Sequence, residues 1–228
     1  YMIEELRACQ EANGKNNPGW GTGYIGGVPN SKIIWSTFQK GDFRAYRSAW
    51  VPWYNVHKLF AGLRDAWAYT GNGAARDIFL KYCDWGIYIT SQLTDIQMEA
   101  MLDTEHGGMN EIFADAYLMT GEEKYRAAAK RFSHRMLLDA MAAGTDNLDN
   151  RHANTQVPKA IGFARIADLS HEDTYRRAGA FFWETVTGNR TLAFGGNSRR
   201  EHFPPASACI DFVNEVEGPE SCNSYNML

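Results

Sequence analysis

Four sets of side chains in this sequence have types and spacings suited to chemistry. The first is Glu220-Ser221-Cys222. In extended backbone residues i and i+2 share a side, so a carboxylate and a thiolate so spaced can reach one metal ion, zinc among them. Two donors make half of a tetrahedral site, and by spacing alone an ordinary structural role is the simpler reading. The second is Glu201, in the run Arg199-Arg200-Glu201-His202-Phe203 that follows Gly195-Gly196-Asn197-Ser198. A carboxyl group near a sugar can serve as general acid, although spacing does not assign that role. The third is His57, His106 and His152, which fall 13, 14 and 18 residues before Thr70, Thr120 and Ser170. Each alone could be a cap or a loop polar group; three in equivalent places suit hydrogen bonds to a polyhydroxylated ligand. The fourth is the glycine-rich loop from Gly21 to Pro29 with Trp20, Tyr24 and Trp35 around it. Aromatic faces stack on sugar C–H surfaces, and a plain packing loop explains these residues equally well. That loop carries neither the dinucleotide-binding glycine pattern nor a phosphate-binding Gly-Lys-Ser/Thr.

The elements that must position these groups follow from a repeat of about 50 residues. Arg76, Arg126 and Arg176 coincide in register, as do Tyr82, Phe132 and Phe182. Thr70-Gly71, Thr120-Gly121 and Ser170-His171 coincide just upstream. An apolar helical stripe precedes each of these turns: Leu59, Leu63 and Trp67; then Phe113 and Tyr117; then Ile161, Phe163 and Ile166. The pattern predicts three helical hairpins, with glycine supplying the left-handed residue at the turn and, in the second and third, Glu122-Glu123 and Glu172-Asp173 complementing the following helix N-terminus. Pro52 and Pro158 suit helix starts. Residues 191–194 could be a short extended piece. Segments 92–105 and 139–155 read as long polar loops joining the hairpins, which favours a closed toroid with its site at a loop-rich face over an open solenoid. The three histidines then converge on the mouth of a central funnel. His134 and His171 read as surface residues, and His202 lacks the placement of the three.

The chain has 228 residues, a formal net charge of −4, 44% hydrophobic and 22% charged residues. A basic nucleic-acid-binding surface and general disorder are not expected. No apolar stretch approaches the ~18 residues of a membrane span. Cys9, Cys83, Cys209 and Cys222 are widely spaced and suggest no disulfide framework; Cys9 and Cys83 read as buried free thiols on apolar helix faces. At about 50 residues per hairpin the length corresponds to about four and a half hairpins. A six-hairpin ring needs about 300 residues at this period, so the chain reads as an internal piece of a longer protein, and its compartment is left open.

Six segments together carry a resemblance to a family. They are Gly23–Pro29, Tyr54-Asn55-Val56-His57-Lys58-Leu59, His106-Gly107-Gly108-Met109-Asn110-Glu111, His152–Lys159, the stretch from Gly195 to Phe203, and Glu220–Leu228. The sequence resembles the β-L-arabinofuranosidases of glycoside hydrolase families 127 and 146, the latter more closely. The resemblance implies an all-α, (α/α)6 toroid, incomplete here, with residues 1–228 forming part of one catalytic domain. The N-terminal helices, the remaining helices and downstream β domains would lie outside it. It implies a retaining enzyme that releases L-arabinofuranose from plant glycans, so the partner is an arabinose-containing oligosaccharide or polysaccharide. By the same resemblance Glu201 is the acid/base, His57, His106 and His152 hold the sugar, and Glu220 and Cys222 are two of the zinc ligands. The loop motif offers Tyr24 as a further sugar contact. The cysteine nucleophile lies in the family well after Glu-x-Cys, and Cys9, Cys83 and Cys209 do not match it. The chain alone is therefore expected to be inactive. A non-catalytic carbohydrate-binding relative, an epimerase and an unsaturated-uronide hydrolase of the same fold are the alternatives.

Overall fold

In a computed structural model, residues 1–208 and 216–228 are described; Cys209 lies outside them. Their only regular elements are helices: α1 (Met2–Asn16), α2 (Ser31–Phe38), α3 (Arg44–Ser48), α4 (Pro52–Thr70), α5 (Gly73–Thr90), α6 (Asp95–Leu102), α7 (Met109–Thr120), α8 (Glu123–Arg131), α9 (Arg135–Ala142), α10 (Ala153–Ser170), α11 (Asp173–Asn189) and α12 (Ser221–Met227). The architecture is all-helical, that of an (α/α)6 glycosidase toroid in part. No helix among the described residues is long and apolar enough to cross a membrane.

The repeat becomes three hairpins, α4/α5, α7/α8 and α10/α11. Gly71, Gly121 and His171 end the first helices with φ of 69°, 71° and 54°. A left-handed cap costs glycine nothing and histidine some strain, so the third turn is the least favourable of the three. Asn72 caps α5 by accepting the Ala75 N–H, and Glu122 and Glu172 occupy the N-caps of α8 and α11. Arg76 lies over the Trp67 ring and Arg126 over the Tyr117 ring, 5.7 Å from each centroid. The first helices α4, α7 and α10 pack side by side in one layer, and their hairpin partners form the other. Between them lies a core of Phe60, Phe79, Tyr82, Phe113, Phe132, Phe163 and Phe182. Phe60 and Tyr82 stack at 3.8 Å.

Several expectations are corrected. Segment 92–105 contains α6, begun by a Thr94/Gln97 capping box, and α9 runs to Ala142 inside the second expected loop. Pro158 sits within α10. It has no N–H for the Asn154 carbonyl, and the backbone of Gly107 docks there, giving its N–H to Thr155 O at 3.2 Å. Residues 191–194 enter a turn, closed by Leu192 N–H to Gly196 O at 2.8 Å. Cys9 is exposed while Cys83 is buried, because α1 turns Ile3, Leu6 and Gln10 inward and Cys9 lies off that stripe. His171 is exposed as expected, but His134 is buried, its Nδ1 3.0 Å from Lys159 Nζ.

Candidate functional site

Tyr24, Trp20 and Trp35 do not line a site. All three are buried in one aromatic cluster with Trp53 and Trp85, and the Tyr24 hydroxyl is 2.7 Å from Ser31 Oγ. The reading of Tyr24 as a sugar contact is therefore corrected: its ring faces have protein neighbours, and burial with aromatic packing is what its residue type would gain anywhere in such a core.

His106 and His152 come together at one end of the inner layer, and the His57 ring lies against Gly108 of the loop that carries His106. His57 lies in the second turn of α4, His106 in the loop before α7, and His152 is the N-cap of α10. Rings follow one another along a row: Tyr54 to His106 at 4.4 Å, His106 to His152 at 5.0 Å, His152 to His202 at 5.2 Å. His202, set apart in the sequence, thus joins the row. The signal that could have placed it is its position next to Glu201 in a segment that must fold back on residue 152.

Burial is what tunes these imidazoles. It pushes His57 down to about 3, helped by the charges of Lys58 and Arg64, and His106 down to about 4. His152 is lowered as well, chiefly by burial. All are neutral near pH 7, so each offers one donor and one acceptor. Both ring nitrogens of His57 and Nδ1 of His106 are buried without a protein hydrogen-bond partner. Buried polar atoms without partners are uncommon and mark places where a ligand can supply the missing bonds. The space is kept by Gly108, whose φ is 120° and where a Cβ would collide with the His57 ring.

Glu201 is presented by a two-residue hairpin. Arg199 and His202 exchange backbone bonds at 2.8 and 2.9 Å, and Arg200 and Glu201 between them have φ of 48° and 64°. That is the pattern of a type I′ turn, which strongly prefers Asn-Gly or similar pairs, and here the residues are Arg and Glu. The His202 ring Nδ1 lies 2.6 Å from Arg200 O, which makes Nδ1 the donor. This hairpin pairs with residues 150–153: Ala153 N–H to Glu201 O and Phe203 N–H to Arg151 O are both 2.8 Å. Buried Arg190 ties the two segments, with Asp146 at 2.8 Å, Asp149 at 2.5 Å and Pro204 O at 2.8 Å. The result brings Glu201 Oε2 to 3.8 Å from His152 Nε2. His152 Nδ1 accepts the Thr155 N–H, so Nε2 carries the ring proton and faces the carboxylate.

Under the row lies a buried polar group. Glu105, adjacent to His106, accepts from the Tyr46 hydroxyl and from Trp53 N–H and Tyr54 N–H at 3.4 and 3.3 Å. It joins α3, the start of α4 and the His106 loop. Burial pushes its carboxyl up to about 7. Buried Lys159 donates a hydrogen bond from Nζ to Leu102 O at 2.7 Å, and burial lowers its pKa to about 7. Neither residue was singled out by the sequence, since a charged residue gives no local sign that the fold will bury it.

Glu220 and Cys222 stand at the start of α12, as N-cap and second helical residue. The backbone there is not extended throughout as the i, i+2 argument supposed, yet the side chains still meet. Burial, then hydrogen bonding and repulsion from Glu220, push the Cys222 thiol up to about 12. Glu220 Oε2 is buried without a partner. A paired carboxylate and thiol with an orphaned oxygen is a donor set that suits a cation. Among the described residues no cluster of three or more His, Cys, Asp or Glu is placed to hold a metal. The pair is anchored to the rest of the site by Ser198 Oγ, which accepts from Asn223 Nδ2 at 2.6 Å and Glu220 N–H at 3.3 Å.

A search among curated proteins found no match. The family model of the β-L-arabinofuranosidase GH127 catalytic domain matches residues 1–228. The match does not separate family 127 from family 146. A glycoside hydrolase domain acts on a carbohydrate, which agrees with a row of neutral imidazoles leading to a carboxylate. The chain belongs to the family of GH127 β-L-arabinofuranosidase catalytic domains.

Proposed function

We propose that the protein of which this chain is part is a retaining β-L-arabinofuranosidase acting on arabinose-containing plant glycans. The observation that carries the reading is the row of His106 and His152 ending at Glu201, with buried ring nitrogens of His106 and of nearby His57 left unpartnered. Furanose hydroxyls are both donors and acceptors, and neutral imidazoles match them without a charge to desolvate. Glu201 is the acid/base. As the bond from the anomeric carbon to the leaving oxygen breaks, Glu201 gives its proton to that oxygen; in the second step it takes a proton from water. His152 Nε2–H points at this carboxylate and stabilises its ionised state between the two steps.

The attacking thiolate is assigned to a cysteine following this chain in the longer protein, by the resemblance alone. Glu220 and Cys222 would hold zinc as two of its ligands. Bound there, zinc would keep a coordinated thiol deprotonated at neutral pH. The test is to incubate the full-length protein with a β-L-arabinofuranosyl disaccharide and follow the anomeric product by NMR. Release of L-arabinose with retained configuration supports the reading; inversion, or release of a different sugar only, refutes it.

A further inference from the structure

Next to the histidine row is a cavity of about 580 Å³ whose wall includes His106, His152, Arg47, Arg151, Trp50 and Gln156. Its volume lies within the ~300–1,000 Å³ typical of small-molecule sites. Two of its residues are unexplained by packing. Trp50 is 84% exposed, whereas Trp20, Trp35, Trp53 and Trp85 are buried. The chain reaches Trp50 just before Val51, whose φ of 35° is a rare geometry for a β-branched residue. That residue turns the chain sharply into Pro52 and α4 and leaves the indole at the cavity's rim. Strained backbone of this kind persists where a site requires the geometry. Gln156 is the converse case. It is only 3% exposed, yet its Oε1 is buried with no hydrogen-bond partner. Its amide nitrogen faces His152 O at 3.5 Å, which directs the oxygen away from that carbonyl.

An indole face attracts polarised C–H groups through its quadrupole, and a buried amide oxygen requires a donor. A sugar ring has both: an apolar face and hydroxyl donors. Arg151 is matched by Asp103 at 3.6 Å, so that part of the wall demands no charge from the ligand. We propose that this cavity binds the sugar residue adjoining the arabinose in the substrate, with Trp50 as its stacking face and Gln156 Oε1 as a buried acceptor for one of its hydroxyls. The inference rests on the arabinofuranosidase reading, in which the histidines hold the terminal arabinose. It makes Trp50 and Gln156 determinants of what the arabinose is attached to.

The experiment uses the full-length protein carrying Glu201→Gln, so that ligands stay intact. Calorimetry measures the Kd of a β-L-arabinofuranosyl disaccharide and of methyl β-L-arabinofuranoside, with and without Trp50→Ala, and separately with Gln156→Leu. Trp50 is exposed, so its truncation leaves folding intact. The expected result is a rise in the disaccharide Kd of about tenfold or more for each variant, with the methyl glycoside changed less than about twofold. Equal weakening of both ligands would place the arabinose itself in the cavity and overturn the proposal, and so would no change in either. Binding of neither ligand before Trp50 or Gln156 is altered would refute the arabinofuranosidase reading and the inference with it. That control separates the two failures.

Discussion

Replacing Glu201 by glycine should make the protein more stable and less active, and the two effects have separate causes. Glu201 has φ of 64° and follows Arg200 at 48°. A non-glycine residue in the left-handed region costs roughly 1–2 kcal/mol. Glycine removes that cost but brings about 0.5–1 kcal/mol of additional chain entropy to be lost on folding. The net gain over a residue with a Cβ is therefore about 0.5–1 kcal/mol. The proper reference is Glu201→Gln, which loses the same charge and keeps the strained backbone. Glu201→Gly should exceed Glu201→Gln by that amount in urea unfolding, or by about 1–4 °C in Tm. Both variants should lose about 10²-fold or more in turnover of a natural glycoside. Equal stability of the two variants would refute the argument that Glu201 is held in a costly turn. Full activity in either would remove Glu201 from the acid/base role. The exposed ion pair of Arg200 with Glu217 is present in both variants and cancels in the comparison.

Further outcomes follow from caps and protonation. His57 is held near 3 in the fold by burial and titrates near 6.5 once unfolded. Below pH 6.5 the unfolded chain binds a proton that the folded one does not, so this residue's contribution to stability falls as pH drops from 6.5 towards 3. His57→Gln should shrink the stability difference between pH 7 and pH 5 by an amount on the order of 2 kcal/mol, read by urea unfolding at both pH values; an unchanged difference would mean that His57 is protonated in the fold. His171→Gly places the natural left-handed cap at the turn between α10 and α11. It should raise stability by about 0.5–1 kcal/mol without altering turnover, and a loss of stability would contradict the assigned strain.

The hairpins were legible because their signals are local and repeated. A left-handed turn residue and a buried aromatic fall at the same place in each unit, and an acidic first turn in two of the three, and each is a property of a few adjacent residues. His57, His106 and His152 stood out because they fall at similar places, 13, 14 and 18 residues before the three turns. What the sequence concealed depends on contacts between distant segments. Arg200-Glu201 carries no turn chemistry; its left-handed backbone is imposed by pairing with residues 150–153. His202 enters the row only through that pairing. Tyr24 and Trp35 have the composition of a sugar platform, yet a core of Trp53 and Trp85 claims their faces. Trp50, of the same type, stays outside because Val51 turns the chain away beneath it. Pro158 reads as a helix start until Gly107 is seen packing against the gap it leaves in α10.

The central claim is that Glu201 gives the proton to the leaving oxygen of an arabinofuranoside. Its most direct test compares leaving groups in full-length Glu201→Gln. A nitrophenyl arabinofuranoside needs no proton to depart, whereas a disaccharide does. The account predicts that the first-turnover release of nitrophenol survives at close to the rate of the unaltered protein, while cleavage of the disaccharide falls by about 10²-fold or more. Equal losses on the two substrates, or no loss on either, would contradict it.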